Sequence, residues 1–233
     1  MSYLYQHGTL GALMSDLMDG TEKIGELGKY GDFGIGTLSG SNGEVIILDH
    51  TMYHVNEAGE VSILTGKERT PYAAVTEFKA AQKTVIEKPA NAEEITNQLL
   101  SKISPNLFAA VKISGTFSAM HVRVSPKQEK PYPKFVEAAR NQPEFSEEKV
   151  NGTIVGFYTP ELFQGAAKAG FHLHFISKDR TFGGHVMDYT LGHGTVKWME
   201  LEEFRQHFPI HDKEFLEHKI DSEEIMKDIA EAE

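Results

Sequence analysis

Cysteine is absent from all 233 residues. No disulfide framework can form and no thiolate nucleophile exists, so any metal site must use nitrogen and oxygen donors. The absence fits a reducing compartment. Long apolar runs are missing as well: no stretch approaches the ~18 apolar residues of a membrane span. The N-terminal Met1-Ser-Tyr-Leu-Tyr-Gln-His7 lacks the basic start and apolar run of a secretory signal. The chain therefore reads as soluble and cytoplasmic. Positive charge is scarce, with 23 Lys and Arg against 34 Asp and Glu and a formal net charge of −11. That balance excludes nucleic acid and anionic membrane surfaces as partners, since both demand clustered basic residues. A small anion could bind only where local positive charge or a metal reverses the field. Gly34-Ile-Gly36-Thr37 has too few glycines for a dinucleotide loop, and no Gly-x-Ser-x-Gly elbow occurs.

What is present is enough apolar sequence, 40% of residues, for a real core. Leu10, Leu13, Met14, Leu17 and Met18 recur at helical spacing, with Gly20 as a stop. From Phe33 to Leu64 short β-prone runs alternate with turn residues such as Ser39-Gly-Ser-Asn-Gly43, which predicts a β-meander. Asn91 and Glu94 form a capping-box pair ahead of a helix whose buried stripe is Ile95, Leu99 and Ile103. Strands are expected over residues 107–117, 119–124, 152–158, 171–176, 184–189 and 195–199. Helices are expected near 134–140, from Pro160 to Gly170, and from Ser222 onward. Many short strands with a few helices make this an α+β protein. Pro126, Pro131, Pro133 and Pro143 suggest a boundary that divides the chain into 1–125 and 126–233.

Alternate side chains of a strand share a face. In Phe171-His-Leu-His-Phe-Ile176, His172 and His174 therefore project together, and the turn leading to Gly183-Gly184 returns His185 alongside. Three imidazoles on two adjacent strands suit a tetrahedral or octahedral ion with positions left open for a ligand. A solvated His-x-His face is the competing reading, and the apolar flanks Phe171, Leu173, Phe175 and Ile176 weigh against it. Glu44, just after the Asn42-Gly43 turn, reads in isolation as a hairpin-end surface charge. Arg123, among β-branched residues, could lie at a sheet edge or face a cleft.

These motifs carry a resemblance. Gly170-Phe-His-Leu-His-Phe-Ile176 followed by Gly183-Gly-His-Val-Met-Asp-Tyr189 closely resembles the metal-binding signature of the α-acetolactate decarboxylase family. Matching stretches run along nearly the whole chain: Tyr30-Gly-Asp-Phe-Gly-Ile-Gly-Thr37, Asn42-Gly-Glu44, Arg69-Thr-Pro71, Gln128-Glu-Lys-Pro-Tyr132 and Gly152-Thr-Ile-Val-Gly-Phe157. The resemblance implies zinc on His172, His174 and His185, with no organic cofactor. It implies active-site roles for Glu44, Arg123, Thr37 and a tail glutamate, taken as Glu233 in preference to Glu231. It further implies two domains of mixed and antiparallel sheets with a few short helices, a site in the cleft between them, and a homodimer. The implied reaction turns (S)-2-acetolactate into (R)-acetoin and CO2 through a metal-stabilised enediolate, in acetoin and butanediol biosynthesis. Two other classes compete. A cupin-like metal dioxygenase or isomerase would place a glutamate a few residues after His-x-His, where Ser177, Lys178 and Asp179 stand instead. A non-catalytic metal-binding module would leave Glu44, Arg123 and the tail free to vary.

Overall fold

Val45-Ile-Ile-Leu48 alternates between two apolar layers, and that alternation organises the molecule. Ile46 and Leu48 face one buried cluster while Val45 and Ile47 face another. The computed structural model describes residues 1–134 and 139–232, with backbone alone at 222, 224 and 230–232. Its strands in chain order are β1 (Tyr3–His7), β2 (Glu22–Lys23), β3 (Phe33–Leu38), β4 (Asn42–Leu48), β5 (Thr51–Val55), β6 (Val61–Ile63), β7 (Arg69–Thr70) and β8 (Tyr72–Thr76). They continue with β9 (Gln82–Ile86), β10 (Ala90–Asn91), β11 (Ala109–Arg123), β12 (Glu144–Thr159), β13 (Gly170–Ser177), β14 (Gly183–Glu200) and β15 (Glu203–His207). The helices are α1 (Leu10–Met14), α2 (Ile24–Leu27), α3 (Ala92–Leu100), α4 (Lys213–Glu217) and α5 (Ser222–Ala232). None among the described residues is long and apolar enough to cross a membrane.

The first sheet has the order β15-β1-β8-β3-β4-β5-β6 and is antiparallel except for the parallel β1–β15 pair. The second runs β10-β14-β11-β12-β13, with β9 also on β14. Its pairing returns on itself, because the first residues of β14 bond to β13 while the rest of the strand bonds to β11. The two sheets pack face to face. Phe33, Ile35, Ile46 and Val55 from the first meet Val124, Val155, Phe157 and Ile176 from the second in one dry layer. On the far side of the second sheet, α3 lays Ile95 and Leu99 over Val111, Ile113 and Trp198. Asn91 and Glu94 form the expected capping box, which satisfies the free amides at that helix start. The architecture is α+β and sheet-dominated, as expected.

Several boundaries differ. The runs 107–117 and 119–124 form one strand, β11, with irregular register around Ser118. The runs 184–189 and 195–199 likewise merge into β14. The helix expected from Pro160 shrinks to a 3-10 turn at Glu161–Phe163. Gly165 there has φ +96°, outside helical space, and the next backbone groups bond to α1, with Leu10 N donating to Ala166 O and Gly11 N to Gly165 O. The first helix stops at Met14, not Gly20. The helix expected near 134–140 falls mostly outside the described residues. Strands β9, β10 and β11 belong to the second sheet, and β15 pairs with β1 in the first.

The turn before β4 depends on one backbone conformation. Gly43 has φ +66°, and a Cβ there would sit 2.1 Å from Val55 O. Gly43→Ala should therefore cost on the order of 2 kcal/mol or more, lowering the thermal midpoint by roughly 4–8 °C. A midpoint within experimental error of the parent, measured by calorimetry, would show that the turn relaxes freely.

Candidate metal centre and cleft

Strand alternation carries the histidines inward. His172, His174 and Ile176 share the face of β13 turned to the first sheet, while Leu173 and Phe175 pack in the opposite cluster. His185 stands where the second sheet closes, paired in register with His174 on one side and Arg123 on the other. Reaching that point requires Gly184, whose φ is +149° and whose Cβ would lie 2.8 Å from Arg123 O. The double glycine of the motif thus lets β14 pass close to its neighbours and deliver His185. Ring centroids are 5.2 Å apart for His172–His174, 5.0 Å for His172–His185 and 5.5 Å for His174–His185. One nitrogen of each ring lies within 4.8 Å of the other two, so the triad can hold a metal ion.

The surroundings prepare the donors. His174 Nδ1 donates to Val45 O at 3.0 Å. A carbonyl only accepts, so this bond places a proton on Nδ1 and turns Nε2 toward the other two rings. Glu44 Oε2 lies 3.2 Å from that Nε2. A carboxylate this close to a ring nitrogen favours positive charge at that point, whether a proton or a bound cation. His172 Nδ1 is buried without a hydrogen-bond partner among the described residues. Burial lowers the His172 pKa to about 3, helped by the charges of Lys168 and Arg123. Burial, the neighbouring imidazoles, Arg123 and Lys168 hold His185 well below its ordinary value. Both rings are therefore neutral ligands near pH 7, and the donor set fits a divalent ion.

Glu44 is not a surface charge. It is buried, and its Oε1 accepts from Ser125 N at 3.0 Å. Alternation puts it in line with Ile46 and Leu48, on the face turned to the histidines. Thr37 Oγ1 donates to Gly43 O at 2.7 Å and so holds the turn that presents Glu44. Arg123 lines the same cleft, of about 420 Å³ counting its open mouth, with Thr37, Glu44 and the triad. Here two cations, Arg123 and Lys168, act on the triad within a chain of net charge −11. These are the local positive charges a small anion needs beside it.

A family model for alpha-acetolactate decarboxylase matches residues 4–222. The alpha-acetolactate decarboxylase of Lactococcus lactis subsp. lactis (strain IL1403) is 45% identical over 234 aligned positions, covering 100% of this chain and 99% of its own. The chain belongs to the alpha-acetolactate decarboxylase family. Its backbone is similar to that of the enzyme from Bacillus subtilis strain 168, with a TM-score of 0.96, 36% identity, and coverage of 100% and 99% of the two chains. A Staphylococcus aureus protein of unknown function, described as similar to alpha-acetolactate decarboxylase, superposes with a TM-score of 0.97 at 46% identity, covering 99% and 100%. Family membership makes the chain a decarboxylase, a carboxy-lyase.

Within this decarboxylase, Thr37, Glu44, Arg123, His172, His174 and His185 all border one cleft. Glu233 lies outside the described residues. The helix leading toward it, α5, packs Ile225 and Ile229 on Leu10, Leu13 and Met14 of α1, and Leu10 and Leu13 also line the cleft. Sequence reasoning missed five polar or backbone-lining residues of the cleft, Gly36, Ser41, Tyr72, Ser125 and Gln142. Ser125 acts on Glu44 through its backbone amide, which carries no residue-type signal. Leu10 and Leu13 were legible as a buried stripe, which does not distinguish a core from a cleft wall.

The buried histidines set a pH dependence for the metal-free protein. His7, also buried, has a pKa lowered to about 4. In the unfolded chain each of these rings binds a proton below its ordinary value near 6.5. Between that value and about 3 to 4 the unfolded state holds more protons, so stability falls as pH falls. Urea unfolding with chelator present should give a lower midpoint at about pH 5 than at about pH 7.5. Equal midpoints would mean that the rings are already charged in the fold.

Proposed function

We propose that His172, His174 and His185 hold zinc and that the protein converts (S)-2-acetolactate to (R)-acetoin and CO2 in acetoin and butanediol biosynthesis. The observation that carries this is the register that sets His185 between His174 and Arg123, with His172 two residues along the same strand face and close enough to share an ion, inside a member of this family. Nitrogen donors suit zinc, although they do not select it over every divalent ion. When bound, the ion supplies Lewis-acid stabilisation of the negative charge that develops on the substrate's ketone oxygen.

The chain's own residues account for the rest. Arg123 offers a planar fork of donors that fits the substrate carboxylate before it leaves. When the carbon–carbon bond to the carboxylate breaks, CO2 departs and its bonding electrons pass toward the adjoining ketone. The substrate itself is the electron sink, so an organic cofactor has no task. A proton must then be added to one face of the former carboxylate-bearing carbon. Glu44 is the candidate carrier: Ser125 N holds Oε1, and Oε2, which faces His174 Nε2, is the atom that gains or gives a proton. Leu10, Leu13 and Tyr72 give the cleft an apolar wall that limits water. Thr37 acts through the turn it holds. The tail role stays with Glu233, with Glu231 as the alternative. A homodimer in the cytoplasm completes the proposal, and light scattering should give the mass of two chains.

Metal analysis and a chiral acetoin assay on racemic substrate test the reading. Purified protein should carry zinc, lose activity with a chelator, regain it with zinc, and form (R)-acetoin. His174→Ala should fail to retain the metal. Bound zinc without acetoin would favour a binding module, and iron with oxygen consumption a dioxygenase. Arg123→Ala should lower kcat/KM about 30-fold or more, the cost of removing one partner of a buried ion pair. Normal turnover with full enantiomeric purity would remove Arg123 from the mechanism.

A further inference from the structure

We propose that Gln142 is a substrate-binding residue whose side-chain oxygen accepts a hydrogen bond from the tertiary hydroxyl of the 2-hydroxy-3-keto acid. The inference rests on the acetolactate reading of the cleft and deepens it. Gln142 lines that cleft with Arg123, Ser125 and the three histidines. Its position is set by the next residue: Val124 N donates to Pro143 O at 3.0 Å, which docks this segment against the end of the strand that carries Arg123. Its Oε1 is buried and has no hydrogen-bond partner among the described residues. A buried amide oxygen left unpaired is unfavourable. A ligand that brings a donor would relieve it.

The chemistry of the substrate names that donor. An ionised carboxylate and a ketone only accept hydrogen bonds, and the tertiary hydroxyl carries the molecule's one O–H. Arg123, which only donates, suits the carboxylate. Glu44 Oε1 is already engaged by Ser125 N, and its Oε2 faces His174. Gln142 is left as the neutral acceptor for the hydroxyl. An amide cannot take the proton away, and acetoin keeps its hydroxyl, so the two properties agree. Gln142 would thus fix the rotation of the hydroxyl-bearing carbon relative to Arg123 without exchanging protons.

A comparison of two ligands of similar shape isolates this contact. Zinc-loaded protein is titrated calorimetrically with 2-hydroxyisobutyrate, which has the carboxylate and tertiary hydroxyl, and with pivalate, in which a methyl replaces the hydroxyl. The parent should prefer the hydroxy acid. In Gln142→Met, with Gln142→Leu as a second replacement should the first misfold, the hydroxy acid should weaken roughly threefold to tenfold, the value of one neutral hydrogen bond. Pivalate should be unchanged within about twofold, and KM for acetolactate should rise with kcat less affected. Equal weakening of both acids would reduce Gln142 to a packing role. No change in either, or no preference in the parent, would overturn the contact. A parent that forms no acetoin would sink the acetolactate reading, while the comparison of acids would still decide Gln142.

Discussion

Phe33, Ile35, Ile46 and Val55 press against Val155, Phe157 and Ile176 to make one dry layer between two sheets, and the site is that layer's polar end. Each strand that builds it continues inward by the same two-residue period. On β4 the inward row Leu48, Ile46 runs on to Glu44; on β13 the row Ile176, His174 runs on to His172. Apolar residues secure the registers, and the polar residues inherit the positions those registers set. The cost of burying these polar groups is met by specific contacts, among them His174 Nδ1 to Val45 O and Ser125 N to Glu44 Oε1. Both contacts join one sheet to the other, so the site and the sandwich hold each other in place.

Closure of the second sheet is the other constraint. A strand as long as β14 can pair with β11 along most of its length and still touch β13 at its start only if it bends sharply there. Gly183 and Gly184 absorb the bend, and the next residue, His185, lands between His174 and Arg123. His174, His185 and Arg123 are thereby adjacent through backbone pairing alone. Rigid strands position polar groups better than loops do.

The electrostatics follow from the same burial. The chain as a whole repels anions, yet Arg123 and Lys168 raise the local potential at the histidines, and desolvation keeps those rings neutral. Neutral donors leave a bound ion with its full charge. The cleft thus gathers Arg123 and Lys168 near the histidines within a chain whose net charge is −11.

Local pattern was enough for much of this. The period of two in Phe171–Ile176, the double glycine before His185 and the capping box at Asn91 each reflect a short-range rule of backbone geometry, and each was legible in the residues themselves. The family resemblance extended that reading to Arg123 and Glu44, and the family match bears out the enzyme class. Tertiary structure decided what depends on distant chain segments. Glu44 reads alone as a hairpin-end surface charge, and only packing against the second sheet buries it. Ser125 and Gln142 reach the cleft through a backbone amide and a docked proline segment, and neither leaves a mark at the level of residue type. The strands β1 and β15 pair across nearly the whole length of the chain, a contact no local period encodes. By itself the sequence determined which faces of which strands turn inward; only the fold decided which of those faces meet, because meeting depends on long-range pairing and on the shared layer that pays for it.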